Sequence, residues 1–160
     1  LETKMETVFR SASLVALMLI AGSVVMAGGE LVAARYARGP LTIKKGVGIG
    51  LFQCLALIPG FSRSGATISG GLLLGLTREN AARFGFLLSV PIILGSGLKK
   101  LFELETGNSI GLPLVAGSLV AFIVGLSAIH FLMRYLKTRT LWVFMWYRLA
   151  LAAVVWLLVF

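Results

Sequence analysis

The sequence contains no aspartate, one cysteine and one histidine. A single thiol, Cys54, excludes an internal disulfide, and no neighbouring residue completes a metal-binding or catalytic motif around Cys54 or His130. We expect packing for Cys54 and a packing or interfacial position for His130. Charged residues make up only 13% of the chain, hydrophobic residues make up 58%, and the mean hydropathy is +0.97. This composition excludes a soluble domain and predicts one all-α integral membrane domain over residues 1–160.

Acidic residues are scarce, with 6 glutamates against 15 basic residues and a net charge of +9. Such an excess would suggest nucleic acid for a soluble protein, but here the basic residues flank apolar segments, where they anchor helix ends at a membrane surface. We therefore expect no nucleic-acid partner.

Glu30, near the end of an apolar segment, is expected at the interface. Arg148 is expected to extend to the interface, with a position inside the bundle as the alternative.

Four apolar segments are long enough to cross a hydrocarbon core, which takes roughly 20 residues. They cover residues 12–34, 84–104, 112–136 and 141–160. Two shorter apolar runs, 46–58 and 66–76, lie between the first two segments. Neither run can span alone, and they flank the polar stretch Pro59-Gly60-Phe61-Ser62-Arg63-Ser64-Gly65. We predict a helical bundle with one re-entrant helix-loop-helix hairpin over about 46–76 and a cavity at its tip.

The only charge between Lys45 and Arg78 is Arg63, at the predicted tip. A charge at that depth costs several kcal/mol and needs a partner, so we expect a buried guanidinium that binds an anion. The guanidinium fork suits phosphate, and the half-helix over 66–76 would add amide donors at its N-terminus. A structural arginine that caps helix carbonyls is the alternative. Gln53 is expected to reach the cavity and to orient substrate or water. The glycines and hydroxyls expected around the anion are Gly60, Ser62, Ser64, Gly65 and Thr67.

The stretch from Pro59 to Gly65 resembles the second signature of the undecaprenyl-diphosphate phosphatase family, also called the bacitracin-resistance family. It meets the pattern P-G-x-S-R-S-G in full, between Gln53-Cys54-Leu55-Ala56 and Ala66-Thr67-Ile68-Ser69-Gly70-Gly71. The resemblance continues through Phe86-Leu87-Leu88-Ser89-Val90-Pro91 and the residues around Tyr147-Arg148. It therefore covers most of residues 46–160.

This resemblance implies a multi-pass enzyme of the bacterial cytoplasmic (inner) membrane. Such an enzyme hydrolyses an isoprenoid diphosphate lipid, undecaprenyl diphosphate, to recycle the carrier lipid of cell-wall synthesis. The resemblance also implies that Arg63 and Thr67 bind the diphosphate and that Ser62 and Ser64 line the catalytic site. The bundle would form half of an inverted repeat, with a second hairpin entering from the opposite face.

The sequence departs from the family in one respect. Family members are longer, and their first half carries an acidic motif (Glu or Gln, then Glu four residues on) and a Ser-rich turn that ends in His. This chain has neither, so we interpret it as the C-terminal half of a longer protein or a truncated version of one, inactive without the missing N-terminal half. That half or a second copy of the chain is the expected protein partner. The resemblance implies a divalent cation, Mg²⁺ or Ca²⁺, held mainly by the missing residues, with no metal ligand in this chain.

The cation distribution predicts an orientation in the membrane, because cytoplasmic loops collect Lys and Arg. Nine cations would share the face from which the hairpin enters: Arg35, Arg38, Lys44, Lys45, Arg78, Arg83, Arg134, Lys137 and Arg139. Four would lie on the other face: Lys4, Arg10, Lys99 and Lys100. The hairpin should therefore enter from the cytoplasm.

Two alternatives to the enzyme stay open: a polyprenyl-phosphate translocase, whose midplane anion site needs no carboxylate pair, and a non-catalytic half-length subunit.

Overall fold

The computed structural model describes residues 12–36, 39–104 and 111–159, and these ranges are helical without a strand. Lys4, Arg10 and Arg38 of the charge count lie outside them. The six helices are α1 (Ala12–Arg35), α2 (Ile43–Cys54), α3 (Arg63–Leu73), α4 (Arg78–Leu104), α5 (Leu112–Leu136) and α6 (Trp142–Val159). Helices α1, α4, α5 and α6 are long and apolar enough to cross a membrane. The prediction of an all-helical chain with four helices of membrane-spanning length and composition is confirmed for these ranges.

Residues 46–76 do not form one continuous helix. Helix α2 ends in a single 3-10 turn, Leu55–Leu57, and a bend separates it from α3. The two helices then pack antiparallel, since a Cβ on Gly48 would lie 2.8 Å from the Leu74 side chain and one on Gly70 would lie 2.6 Å from Phe52. At the open end the amide of Gly39 donates to the carbonyl of Gly75, N–O 3.0 Å. The hairpin therefore returns to the side from which it starts.

The bend of this hairpin lies beside α1 between Val15 and Gly22. Ser69 is in contact with Gly29, Gly65 with Met26, and the carbonyl of Phe61 lies 2.6 Å from where a Gly22 Cβ would be. Helices α1 and α3 therefore run side by side in the same direction. At 1.5 Å per residue, Gly22 is roughly 15–20 Å from either end of the 24-residue α1.

The hydrophobic core lies between the α2–α3 hairpin and the helices around it. Its largest fully buried apolar side chains are Ile49, Leu72, Leu76 and Leu136. Helix α5 contributes little to this core, since the most apolar 18-residue window within Leu112–Leu136 has no buried residue. The packed part of the chain is thus α1 to α3 with the adjoining parts of α4 and α6.

Glu30 is buried within the bundle, and its expected depth at the membrane interface stays a prediction. Its side chain is 2% exposed and forms an ion pair with Arg78. It also accepts a hydrogen bond from the backbone amide of Leu141, N–O 2.8 Å. A buried carboxylate needs such partners, and here they come from the starts of α4 and α6. Glu30 therefore ties the end of α1 to both helices.

Candidate anion-binding site

The bend before α3 has an unusual backbone. Gly60 and Ser62 both have positive φ, +90° and +78°. Gly60 also has no room for a side chain, because a Cβ would lie 2.6 Å from the carbonyl oxygen of Val15 on α1. Ser62 is the N-cap of α3, and its hydroxyl oxygen accepts a hydrogen bond from the Gly65 amide, O–N 3.2 Å. A non-glycine residue at positive φ costs roughly 1–3 kcal/mol and is typical of functional turns.

A cavity of about 230 Å³ opens between the first two turns of α3 and the helix α4. We name it the polar cavity because a guanidinium and three hydroxyl-bearing residues contribute to its wall. Its lining residues are Arg63, Ser64, Thr67, Ile68, Ala82, Gly85, Phe86 and Ser89. The structure therefore brings three of the predicted site residues, Arg63, Ser64 and Thr67, to one cavity.

Arg63 is exposed, not buried as predicted. Within the described ranges its guanidinium has no hydrogen-bond or ion-pair partner. The backbone amides of Arg63 and Ser64, in the first turn of α3, are likewise unpaired within those ranges, as expected at a helix N-terminus. The guanidinium, two amides and the positive end of the helix dipole are thus available to one anion.

Thr67 is almost fully buried, at 1% exposure, yet it contributes to the cavity wall. Its hydroxyl proton is shared between the carbonyl oxygens of Arg63 (3.1 Å) and Ser64 (3.2 Å). The close approach of α4 depends on Gly85, where a Cβ would lie 2.6 Å from the Thr67 oxygen. In this arrangement Thr67 fixes the first turn of α3 and offers an acceptor rather than a free donor.

Gln53 and Gly60 are not brought to the polar cavity. Gln53 lies on α2, and its amide oxygen is buried without a hydrogen-bond partner among the described residues. Ser62 and Gly65 line a second cavity instead. The structure thus separates the predicted site residues into three groups, of which only Arg63, Ser64 and Thr67 share the polar cavity.

The second cavity, of about 270 Å³, lies on the other flank of α3, towards α1, α5 and α6. We name it the apolar cavity because most of its wall is hydrocarbon. Its lining residues are Leu19, Met26, Ser62, Ser64, Gly65, Ile68, Leu132, Leu141, Phe144, Tyr147, Arg148 and Leu151. Ser64 and Ile68 line both cavities. The two cavities therefore adjoin along one edge of α3.

Arg148 contradicts the expectation that it extends to the interface. Its side chain is 7% exposed and lies against α1 and the bend. The alternative, a position inside the bundle, is correct. Its partners are neutral oxygens, not an anion: five acceptors on α1 and the bend lie 3.0–3.3 Å from its nitrogen atoms.

Sequence reasoning missed Ser89 and Gly85, which α4 contributes to the polar cavity. The hydroxyl of Ser89 donates to the carbonyl of Phe86, O–O 2.7 Å. The available signal was their four-residue spacing, which places both on one face of α4. Nothing in that spacing identified α3 as the helix they would face.

The residues of the polar cavity do not fit a divalent cation. Mg²⁺ and Ca²⁺ take carboxylate, carbonyl and water oxygens, and no carboxylate lines this cavity. Glu30 is paired with Arg78, and Glu79 lies 3.3 Å from the ammonium of Lys137. Within the described part of the chain, no three His, Cys, Asp or Glu residues form a group that could hold a metal.

Comparison with known proteins agrees with the motif. The sequence model of the family described as Bacitracin resistance protein BacA matches residues 1–154. The protein named undecaprenyl-diphosphatase of Trichlorobacter lovleyi is 45% identical over 159 residues, which cover 94% of this chain and 57% of that protein. The one of Renibacterium salmoninarum is 41% identical over 164 residues, 98% of this chain and 59% of that protein.

A third relative, from Mycolicibacterium smegmatis and with the same name, is 45% identical over 152 residues, 91% of this chain and 55% of that protein. The chain thus spans little more than half the length of the curated relatives it matches. Because the family model matches residues 1–154, the chain belongs to the bacitracin resistance protein BacA family.

Proposed function

We propose that this chain supplies the phosphate-binding half of an enzyme that hydrolyses undecaprenyl diphosphate to undecaprenyl phosphate and phosphate. The relatives are named for this activity. The observation that carries the proposal is the unpaired guanidinium of Arg63, which shares a cavity with the free N-terminus of α3. The enzyme would act in the bacterial cytoplasmic membrane and recycle the carrier lipid for cell-wall synthesis.

The α2–α3 hairpin would be re-entrant, with its bend at the centre of the bilayer. Its helices have 12 and 11 residues, so each is roughly 16–18 Å long, about half the thickness of a hydrocarbon core. The bend lies beside α1 between Val15 and Gly22 and is covered by α1 and α6, as irregular backbone inside a bilayer requires. The cation count favours entry from the cytoplasm. The bundle would be one half of an inverted repeat.

The proposed chemistry is electrostatic. The planar guanidinium of Arg63 would bind two oxygens of the terminal phosphoryl group, while the amides of Arg63 and Ser64 bind a third. These donors would stabilise the charge that develops as water attacks phosphorus and the anhydride bond breaks. Ser64 would add its hydroxyl, and Thr67 would hold the turn that carries the donors. The isoprenoid phosphate is the leaving group.

The apolar cavity gives the lipid portion of such a substrate a place next to its headgroup. It adjoins the polar cavity at Ser64 and Ile68, and aliphatic and aromatic side chains of α1, α5 and α6 form most of its wall. A diphosphate on the polar side would place the first isoprene units against this wall. Since these units already lie in hydrocarbon, the contact would supply packing and orientation rather than a hydrophobic transfer energy.

The remaining parts of the machinery would come from outside the described residues. Attack by water needs a base, and the polar cavity has neither carboxylate nor imidazole in its wall. We propose that this base, and a divalent cation such as Mg²⁺ or Ca²⁺, are held mainly by residues beyond this chain or by a second copy. The 160-residue chain by itself should then bind a diphosphate weakly and turn it over little.

The test is phosphate release from undecaprenyl diphosphate by the protein, expressed from its complete gene and purified in detergent. We expect release by the wild type and by an Arg139→Ala control, in which an exposed arginine is removed, and almost none by Arg63→Ala. Detergent micelles have no leaflets, so release there also separates hydrolysis from lipid translocation. Equal rates for wild type and Arg63→Ala would remove Arg63 from the mechanism.

A further inference from the structure

We infer that Arg148 is a positioning residue, which fixes the bend before α3 and through it the donors that face the diphosphate. The inference rests on the proposed function for its effect on catalysis. The geometry on which it depends is independent of that function. Arg148 lies on α6, 87 and 88 residues from the bend residues that it contacts.

One nitrogen of Arg148 bridges two parts of the fold. Its Nη2 lies 3.0 Å from the carbonyl oxygens of both Gly60 and Phe61 in the bend. The same nitrogen lies 3.3 and 3.1 Å from the carbonyl oxygens of Met18 and Leu19 on α1. An Nη2 group has two protons, so the four contacts are shared bonds. Nε donates to the hydroxyl of Ser23, N–O 3.3 Å, which fixes the plane of the guanidinium.

The carbonyls of Gly60 and Phe61 need a donor of this kind. The positive φ values of Gly60 and Ser62 break the helical ladder, so no backbone amide of the described residues bonds to either oxygen. Arg148 is the only donor that the described part of the chain gives them. An unsatisfied carbonyl in the interior of a membrane protein costs several kcal/mol.

The opposite helix is shaped to admit the guanidinium. At Gly22 of α1 a Cβ would lie 2.3 Å from Arg148 Nη2 and 2.6 Å from the Phe61 carbonyl oxygen. Any side chain at this position would collide with the arginine and the bend together. Gly28, on the same helix, has nothing within 4 Å of the equivalent point. The absence of a side chain at residue 22 is therefore required for the contact between Arg148 and the bend, whereas residue 28 has no such requirement.

The bend is close in sequence to the groups that we propose bind the phosphate. Phe61 is two residues before Arg63, and Ser62 between them caps α3. Release of the two carbonyls would let the bend move and would shift the guanidinium and amides of the polar cavity. A displacement of about 1 Å in a catalytic group lowers rates by about 100-fold. Arg148 itself lines the apolar cavity and not the polar one, so its effect on the phosphate is through the bend.

The test compares Arg148→Gln, Arg148→Lys and Gly22→Ala in the protein expressed from its complete gene. Gly28→Ala and Arg139→Gln are the matched controls, because they make similar changes at an open glycine and an exposed arginine. Two quantities are measured: kcat/KM for undecaprenyl diphosphate and the hydrogen–deuterium exchange of the segment 59–66, whose exchangeable amides begin at Gly60. The melting temperature in detergent is recorded for each variant.

We expect Arg148→Gln and Gly22→Ala to lower kcat/KM by about 100-fold, mainly through kcat, and to speed exchange in 59–66 but not in α4. Arg148→Lys keeps a cation that can hold the carbonyls and should recover about tenfold of that loss. Both controls should match wild type. Normal exchange in 59–66 for Arg148→Gln, or full activity for Gly22→Ala, would overturn the inference.

The two readouts keep this inference separate from the proposed function. If the wild type releases no phosphate, the proposed function fails, while exchange at 59–66 still decides whether Arg148 fixes the bend. If Arg148→Gln does not fold, Arg148→Lys and Gly22→Ala still perturb the same contact. A fall in activity that follows the melting temperature across all variants, with exchange raised everywhere, contradicts the positioning role.

Discussion

One arginine lies on each flank of α3: Arg63 belongs to α3 itself, and Arg148 belongs to α6. The two guanidinium groups differ in their exposure and in their hydrogen-bond partners. Arg63, on the polar flank, is exposed and has no partner within the described ranges. Arg148, on the apolar flank, is 7% exposed and has five oxygen acceptors. The described residues thus satisfy the guanidinium of Arg148 with protein oxygens and leave that of Arg63 unpaired, which is the arrangement that our proposal of an anion site requires.

The largest effect is expected from Arg63→Ala. It removes the bidentate donor on the polar flank and should lower kcat/KM for undecaprenyl diphosphate by about 100- to 1,000-fold, the usual cost of losing one transition-state donor. Stability should not change, since the side chain has no hydrogen-bond or ion-pair partner to lose among the described residues. The measurement is phosphate release together with the melting temperature in detergent.

The variant Arg63→Lys separates the effect of the charge from that of the planar guanidinium. It keeps the charge but loses the planar fork, so activity should lie between those of wild type and Arg63→Ala. A large fall in melting temperature for Arg63→Ala would instead assign Arg63 the structural role that we reserve for Arg148, and the comparison between the flanks would no longer hold.

The second effect concerns Gly60, at the bend between the flanks. Gly60→Ala combines a positive φ with a Cβ 2.6 Å from the Val15 carbonyl oxygen, and we expect a loss of roughly 1–3 kcal/mol in the free energy of unfolding. Gly50→Ala is the control, because nothing lies within 4 Å of its Cβ position. Thermal or denaturant unfolding in detergent measures both. Equal stability of the two variants would contradict the close packing of the bend on α1.

Sequence reasoning succeeded where the signal is local. Length and hydropathy predicted the long apolar helices, and the Pro-Gly-x-Ser motif predicted the break between α2 and α3, because turn chemistry is decided by adjacent residues. Sequence reasoning missed the partners of Glu30 and placed Arg148 wrongly. Their partners are distant in the chain: Arg78 is 48 residues from Glu30, and Phe61 is 87 residues from Arg148. Hydropathy counts a charge as a cost and gives no information about a remote backbone group that offsets it.

The prediction for Arg63 failed in the opposite direction: the side chain was expected to be buried and is exposed. Its depth between two apolar runs predicted burial, but exposure depends on which surfaces cover the bend, and the described helices leave that flank open. The motif also did not indicate that the predicted site residues would be divided between two cavities. Arg63 and Gly65 are two residues apart, yet helical geometry places them on different flanks of α3. A motif read as one cluster is in fact the shared wall of two cavities.

A third, smaller effect should appear on the apolar flank alone. Leu151 lines the apolar cavity and is 37% exposed, so Leu151→Trp can fill the cavity without disturbing the core. We expect KM for undecaprenyl diphosphate to rise about tenfold, while hydrolysis of inorganic pyrophosphate, which has no lipid, stays at the wild-type rate. Leu158→Trp, at an 81% exposed position of the same helix, is the control. A similar change for both substrates would show that this cavity does not hold the lipid.

The smallest effect is expected from Ser89→Ala on the polar flank. The hydroxyl lines the cavity from α4, but its proton is used by the Phe86 carbonyl, so it offers the phosphate at most an acceptor or a water-mediated contact. We expect a decrease in kcat/KM of about threefold, the scale of one modest hydrogen bond, with no change in KM for the lipid. Ser96→Ala, on the exposed part of α4 with a similar bond to the Ile93 carbonyl, controls for the loss of that bond. A loss as large as that of Arg63→Ala would move the centre of the site from α3 to α4, because α3 would then no longer supply the principal donors.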